Sequence, residues 1–137
     1  MDCIFCKIVQ GKIPVRKIME TEKTLAFLDA FPLTKGHTLV IPKNHYVKIQ
    51  EMKKEDNIDL FDTVRVMAGR TERLASSSLI AIHNGKESGQ EVPHVHVHII
   101  PRNADDGAGP VHSMFRQRPK LTDSEFEDLA QKLRDKN

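Results

Sequence analysis

Residues 94–100 read HVHVHII, three histidines at every second position with valine and isoleucine between and after them. A period of two is the period of a strand, whose successive side chains leave on opposite faces. His94, His96 and His98 are therefore expected on one face, about 6.6 Å apart, with Val95, Val97 and Ile99 on the other. The apolar row can pack on a core. The imidazole row can bind a metal, or bind an anion and attack it. A metal held by all three is difficult on a flat strand, because the outer two stand roughly 13 Å apart. Attack of a neutral imidazole on phosphorus would give a phosphorylated or nucleotidylated histidine, with the neighbours donating to phosphate oxygens or to a leaving group. The remaining reading is an exposed strand face of no function. Strict alternation after a glycine-containing loop that also carries Asn84 and Gln90 speaks against it.

The rest of the chain sets bounds. Its 137 residues, 39% hydrophobic and 29% charged, suit one soluble globular domain. A net charge of +2 without a basic run gives no reason to expect nucleic acid as a partner. No apolar stretch approaches the roughly 20 residues of a membrane span. The opening MDCIFCKIVQGK lacks the apolar core of a secretory signal. A cytoplasmic protein is expected, with its two cysteines reduced.

Short strands are expected at Val15–Met19, Thr24–Leu28, His37–Pro42, Ser78–Asn84 and His94–Ile100, the last stopped by Pro101. Residues 3–10 read as a short helix ended by Gly11. Glu55–Ala75 read as a long helix with Leu60, Val64, Met67, Thr71 and Leu74 on one stripe. Thr122-Asp123-Ser124-Glu125 has the capping-box pattern and opens a terminal helix carrying Phe126, Leu129 and Leu133. The pattern implies an α+β domain over residues 1–110, built on a five-stranded, mostly antiparallel sheet, and a tail over 111–137.

Cys3 and Cys6 are spaced C-x-x-C. A redox pair normally follows a strand at a helix N-terminus, and no strand precedes this one. Two buried unpaired cysteines are a second reading. Half of a zinc site is the best reading, since two thiolates on one turn leave two ligands for the chain's histidines to supply.

The histidine strand, Asn84, Gly89-Gln90, "TKGHTLVIPKNH" at residues 34–45 and "CIFCKI" at the start together resemble the histidine-triad (HIT) family, from Cys3 to about Arg102. The "IIPR" ending and the cysteine pair are most similar to its prokaryotic Hit branch, related to the Hint and Fhit branches. The resemblance implies a HIT-like fold and a nucleotide hydrolase or transferase, similar to the purine nucleoside phosphoramidases, that releases a nucleoside monophosphate. AMP is the expected nucleotide, although no residue selects adenine over guanine. By motif position His96 would be the nucleophile, and His98 would bind phosphate oxygens and stabilise transition-state charge. Gln90 and the backbone of Gly89, Glu91 and Val92 would hold the phosphate, with Asn84 near the phosphate or ribose. Asp29 would bind the ribose hydroxyls, and Ile8 and Phe27 would line the base pocket. Without the resemblance, Asp29 reads as a loop-capping acid and Phe27 as a core aromatic. The resemblance also points to His45 and His94 as the ligands that complete a closed, structural zinc site with Cys3 and Cys6.

The sequence departs from the family at two places. The Hint branch usually has serine where Glu91 stands, and the Fhit branch usually has glutamine where His83 stands. The second departure weakens the reading as a dinucleoside polyphosphate hydrolase. Two rival functions are a nucleotide-binding regulatory protein with little turnover and a zinc-dependent interaction module. His37 is expected to be structural, and His112 to approach the site if the tail folds back. A homodimer with a continuous sheet is also expected: strand edges need cover, and Ile58, Phe61 and Val66 lie off the main stripe of the long helix. The chain's own Phe126, Leu129 and Leu133 could cover them instead.

Overall fold

Five strands and three α-helices form among residues 2–134, the residues described by the computed structural model of the chain. Two compact units result, one up to Asp106 and one from Gly107, four residues before the boundary expected from the sequence.

In the first unit the strands are β1 (Lys17–Glu20), β2 (Thr24–Leu28), β3 (Thr38–Pro42), β4 (Ser77–Ala81) and β5 (Val97–Arg102). They make one antiparallel sheet in the order β1-β2-β3-β5-β4. The helices are α1 (Ile4–Val9) and α2 (Lys54–Thr71). Leu60, Val64 and Met67 of α2 recur at helical spacing and are buried with Ala26, Val40, Val95, Val97 and Ile99. Fully burying each such aliphatic side chain contributes about 1.5–3 kcal/mol. Among the residues of the other face, Leu25, Phe27, Leu39 and Ile41 pack with Cys3, Phe5 and Ile8 of the α1 segment. The alternation read from the sequence thus holds: the valines and Ile99 join the α2 core, and His98 pairs with Leu39 of the opposite face.

Several boundaries differ from the expectation. β5 begins at Val97, so His94 and His96 lie in the extended segment before it. There the chain bonds outside the ladder, Val95 N donating to the Tyr46 carbonyl at 2.7 Å. Pro101 does not stop β5. It faces Ser78 of β4, while the β3 pairing has already ended at Thr38↔Ile99. Its missing N–H therefore falls where only one neighbour is registered. β1 starts two residues late, β3 one residue late at Thr38, and β4 ends at Ala81, leaving His83 and Asn84 outside the sheet. α2 ends at Thr71 rather than Ala75, because its last turn tightens: Arg73 N donates to the Arg70 carbonyl at 3.1 Å and Leu74 N to that of Thr71 at 2.9 Å. Leu74 leaves the stripe and is exposed. A Cβ on Gly36, whose φ is +92°, would meet its side chain at 2.3 Å.

In the second unit α3 (Asp123–Arg134) opens with the expected capping box. Thr122 Oγ1 accepts from Glu125 N at 3.2 Å, and Glu125 Oε1 accepts from Thr122 N at 3.1 Å. Phe126, Leu129 and Leu133 on α3 are exposed, and so are Ile58 and Phe61 on α2. Among the described residues no helix is long and apolar enough to cross a membrane.

Candidate functional site

Two clusters of polar donors flank the start of β5. The first forms because α1 is capped by a thiol: Cys3 Sγ accepts from Cys6 N at 3.3 Å, so both cysteines sit on one turn. Cys3 Sγ lies 3.3 Å from His94 Nδ1, and Cys6 Sγ lies 3.3 Å from His45 Nδ1 and 3.6 Å from His94 Nδ1. His45 Nδ1 and His94 Nδ1 are 3.2 Å apart, and the four donor atoms all lie within 4.8 Å of one another. A tetrahedral zinc with Zn–S near 2.3 Å and Zn–N near 2.0–2.1 Å separates its ligand atoms by roughly 3.3–3.8 Å. The donor set and its spacing fit such an ion.

The chemistry of the donors agrees. His94 is fully buried, and its Nε2–H donates to the Pro42 carbonyl at 2.9 Å, which leaves the Nδ1 lone pair facing the thiols. Burial holds its pKa down near 4, with the Pro42 bond opposing. Burial, and then Cys3 beside it, push the Cys6 thiol up to about 11. A divalent cation among these groups would reverse that and favour the thiolate. His45 is held by its neighbours: Tyr46 Oη and Asn44 Nδ2 both donate to buried Asp56 on α2, at 2.5 and 3.0 Å.

The second cluster joins His96, His98, His37 and Asp29. The ring of His96 lies 5.0 Å from those of both Phe5 and His98, each edge to face. Its Nδ1–H donates to the His94 carbonyl at 2.7 Å, so Nε2 carries the free lone pair. Burial lowers its pKa, against that bond, and keeps it neutral. A chain of bonds fixes His98 in the opposite sense. Leu33 N donates to His37 Nδ1 at 3.0 Å, so the His37 proton is on Nε2 and is given to His98 Nδ1, also at 3.0 Å. Neutral His98 then bears its proton on Nε2. That atom is the one buried side-chain nitrogen or oxygen without a hydrogen-bond partner among the described residues. Burial first, then the neighbouring imidazoles, hold the His98 pKa near 4. The pair therefore presents a lone pair on His96 and an unused N–H on His98, side by side: a nucleophile and a donor for an anion.

The other residues singled out in the sequence take these places. Asp29 is mostly buried. Its Oδ1 accepts from Phe31 N at 2.8 Å and its Oδ2 lies 3.6 Å from His37 Nε2, so the loop-capping role is present beside a place in the cluster. Ile8 and Phe27 are buried in the apolar cluster on the α1 side. The Asn84 amide bonds Ile49 N and Gln50 Oε1, and the Gln90 amide bonds Gly85 N and the Val47 carbonyl. Both amides brace the loop at 85–90 against residues 47–50. Gly89 has φ +105° and its Cα faces the His83 ring. Glu91 and Val92 border an open cavity shared with Asp2, Ile4 and Lys7.

Three residues were missed or undervalued in the sequence. His37 is not merely structural: it is 2% exposed and sets the tautomer of His98. Its position two residues before Leu39, the partner of His98, was the available signal once the register was known. Phe5 packs edge-on against both His94 and His96 from between the two cysteines. His83 stacks edge to face with His98 at 5.5 Å. His112 lies in a single turn of 3₁₀ helix, Val111–Met114, in the second unit.

An antiparallel α+β sheet carrying an alternating histidine segment, its middle imidazole free to attack and its last free to donate, defines a class of protein. The HIT domain family matches residues 10–105, and the chain belongs to that family. It is 38% identical over 136 residues to the adenosine 5'-monophosphoramidase hnt1 of Schizosaccharomyces pombe, covering 98% of this chain and 100% of that one. It is 34% identical over 135 residues to the adenylylsulfatase HINT3 of Arabidopsis thaliana, covering 97% of this chain and 68% of that one. The crystal structure of a HIT family member from Bacillus subtilis superposes with a TM-score of 0.86 at 35% identity, covering 97% of this chain and 95% of that one.

Proposed function

We propose that this chain is a nucleotide hydrolase that releases a nucleoside monophosphate, AMP in the first instance, from an amine or a related leaving group. The observation that carries the reading is the pairing of a free His96 Nε2 lone pair with the unpartnered His98 Nε2–H. His96 attacks the α-phosphorus, and the P–N or P–O bond to the leaving group breaks. A nucleotidyl-histidine forms, and water then hydrolyses it to the nucleoside monophosphate and free His96. His98 donates to a phosphoryl oxygen as charge grows there. Asp29 at the edge of the cluster is the ribose-binding acid of this reading, and Phe27 and Ile8 back the base. The names of the fission yeast and Arabidopsis relatives support an amine leaving through P–N cleavage or a sulfate leaving through P–O cleavage.

The same reading gives the Cys3, Cys6, His45 and His94 cluster to one structural zinc ion. Four protein donors close its coordination, so it ties α1 to the start of β5 and leaves the chemistry to His96 and His98. A reducing, cytoplasmic setting suits the free thiols. The chain pairs as a homodimer through β4, the edge strand beside β5, and the exposed Ile58, Phe61 and Ile80.

Incubation with adenosine 5'-phosphoramidate should yield AMP. His96→Ala should abolish turnover while nucleotide binding persists. Turnover of the variant at the wild-type rate would remove His96 as nucleophile, and binding without turnover by the wild-type protein would favour a regulatory role.

A further inference from the structure

The reaction needs a proton that neither His96 nor His98 is placed to give. An amine expelled from phosphorus leaves only as the neutral amine, and its nitrogen must be protonated as the P–N bond breaks. Neutral His96 has its one proton committed to the His94 carbonyl, and the free proton of His98 faces the phosphoryl group in the hydrolase reading. The Asn84 and Gln90 amides are occupied in bracing the loop, and amides are not acids. Glu91 borders the cavity beside Asp2 and Lys7 on the α1 side.

His83 is different. It stands two residues past the end of β4, where the chain leaves the sheet, and its side chain is exposed. Among the described residues it makes no hydrogen bond, yet its ring is held in place. One side stacks edge to face on His98 at 5.5 Å. Gly89 also lies against the ring, where a Cβ would meet the imidazole Cδ2 at 3.4 Å and Nε2 at 3.6 Å in ordinary van der Waals contact. His98 in turn lies edge to face with His96 at 5.0 Å, so His83 stands one ring away from the nucleophile. A solvent-facing imidazole lodged at the rim of the triad has the geometry to hand a proton to a leaving group and to take one back from water.

We propose that His83 is the general acid that protonates the leaving group. The proposal rests on the hydrolase reading. In the first step the His96 Nε2 lone pair forms the N–P bond, the P–N bond to the amine breaks, and the amine takes its electron pair together with the proton of the His83 imidazolium. In the second step neutral His83 takes a proton from the attacking water. The His96–P bond breaks, its electron pair returns to His96, and the nucleoside monophosphate leaves with the cationic His83 restored.

The test uses the full chain and two AMP donors: an alkylamine phosphoramidate, which needs an acid, and a p-nitrophenyl ester, whose anion leaves without one. His83→Gln keeps a hydrogen-bonding side chain that cannot protonate an amine. Its kcat/KM for the alkyl phosphoramidate should fall about 10²-fold or more, the usual worth of a general acid. The loss on the p-nitrophenyl ester should be at least about tenfold smaller. Because His83 is exposed, the melting temperature of the variant should match the wild type. Equal losses on both donors, or no loss on either, would overturn the proposal, as would a wild-type protein that cleaves the ester but not the phosphoramidate. A wild-type protein inactive on both would instead overturn the hydrolase reading, and this one with it.

Discussion

Replacing Asp56 should unfasten the part of the chain that carries His45. The carboxylate sits in the first turn of α2 and is only 3% exposed. Its Oδ2 accepts from Tyr46 Oη at 2.5 Å and from Asn44 Nδ2 at 3.0 Å, so residues on both sides of His45 are tied to one oxygen. A hydrogen bond to a charged group is worth about 1.5–3 kcal/mol. Both bonds share one acceptor, so the loss in Asp56→Ala is set near the lower bound for two, about 3 kcal/mol. That is a large share of the 5–15 kcal/mol by which domains are stable, and it corresponds to a fall in Tm of roughly 10–15 °C at this size. Tyr46→Phe removes one donor and should cost about half as much.

The pH dependence gives the sign independently. Tyr46 first, then Asn44, hold the Asp56 carboxyl below its ordinary range, so its folded pKa is depressed. Its contribution is therefore fully present above the unfolded pKa of about 4 and is lost as pH falls through the folded value. Thermal melting should show wild type and Asp56→Ala furthest apart near pH 7 and converging toward pH 3. A difference in Tm under about 3 °C at pH 7, or a gap that widens on acidification, would refute the argument that these two bonds hold the segment.

Elemental analysis of the purified protein should find close to one zinc per chain, and Cys3→Ser or Cys6→Ser should lower both the zinc content and the Tm; unchanged metal and melting in both variants would remove the site. Light scattering at micromolar concentration should give a mass near twice 15.6 kDa, and Ile58→Lys with Phe61→Lys should return it toward 15.6 kDa; a wild-type mass of 15.6 kDa would rule out the dimer.

Periodic features were legible in the sequence. The three-and-four spacing of Leu60, Val64 and Met67 placed α2, and the Thr122–Glu125 box placed the start of α3, because both are local rules in which neighbours on one element decide the outcome. The two-residue period of 94–100 gave the face assignment of Val95, Val97 and Ile99, which a core can enforce over a short stretch whether or not the ladder is complete. What the period could not give was the start of β5, since that depends on where its pairing with β3 stops, at Val40↔Val97, and on the Val95–Tyr46 bond across the chain. Pro101 misled for the same reason: a missing N–H ends a strand only if a neighbour needed it, and the β3 register stops before that position.

The histidines show where local reading runs out most clearly. An imidazole has two nitrogens, and its chemistry is set by which of them is already engaged. His94 gives Nε2–H to Pro42 and turns Nδ1 to the thiols; His96 gives Nδ1–H to the backbone and keeps Nε2 bare; His98 receives at Nδ1 and keeps Nε2–H. Three identical side chains on one segment thus become a lone pair facing two thiols, an uncommitted lone pair and a proton donor. The partners that decide this are Pro42 and the Leu33–His37 pair on and before β3, and the segment's own backbone. Because β3 lies next to β5 in the sheet, the register that buries Val97 beside Val40 also delivers His37 to His98. A slip of one residue would place the imidazoles in the α2 core and the valines against the thiols, so the packing of the apolar row is what holds the three histidines in their separate states.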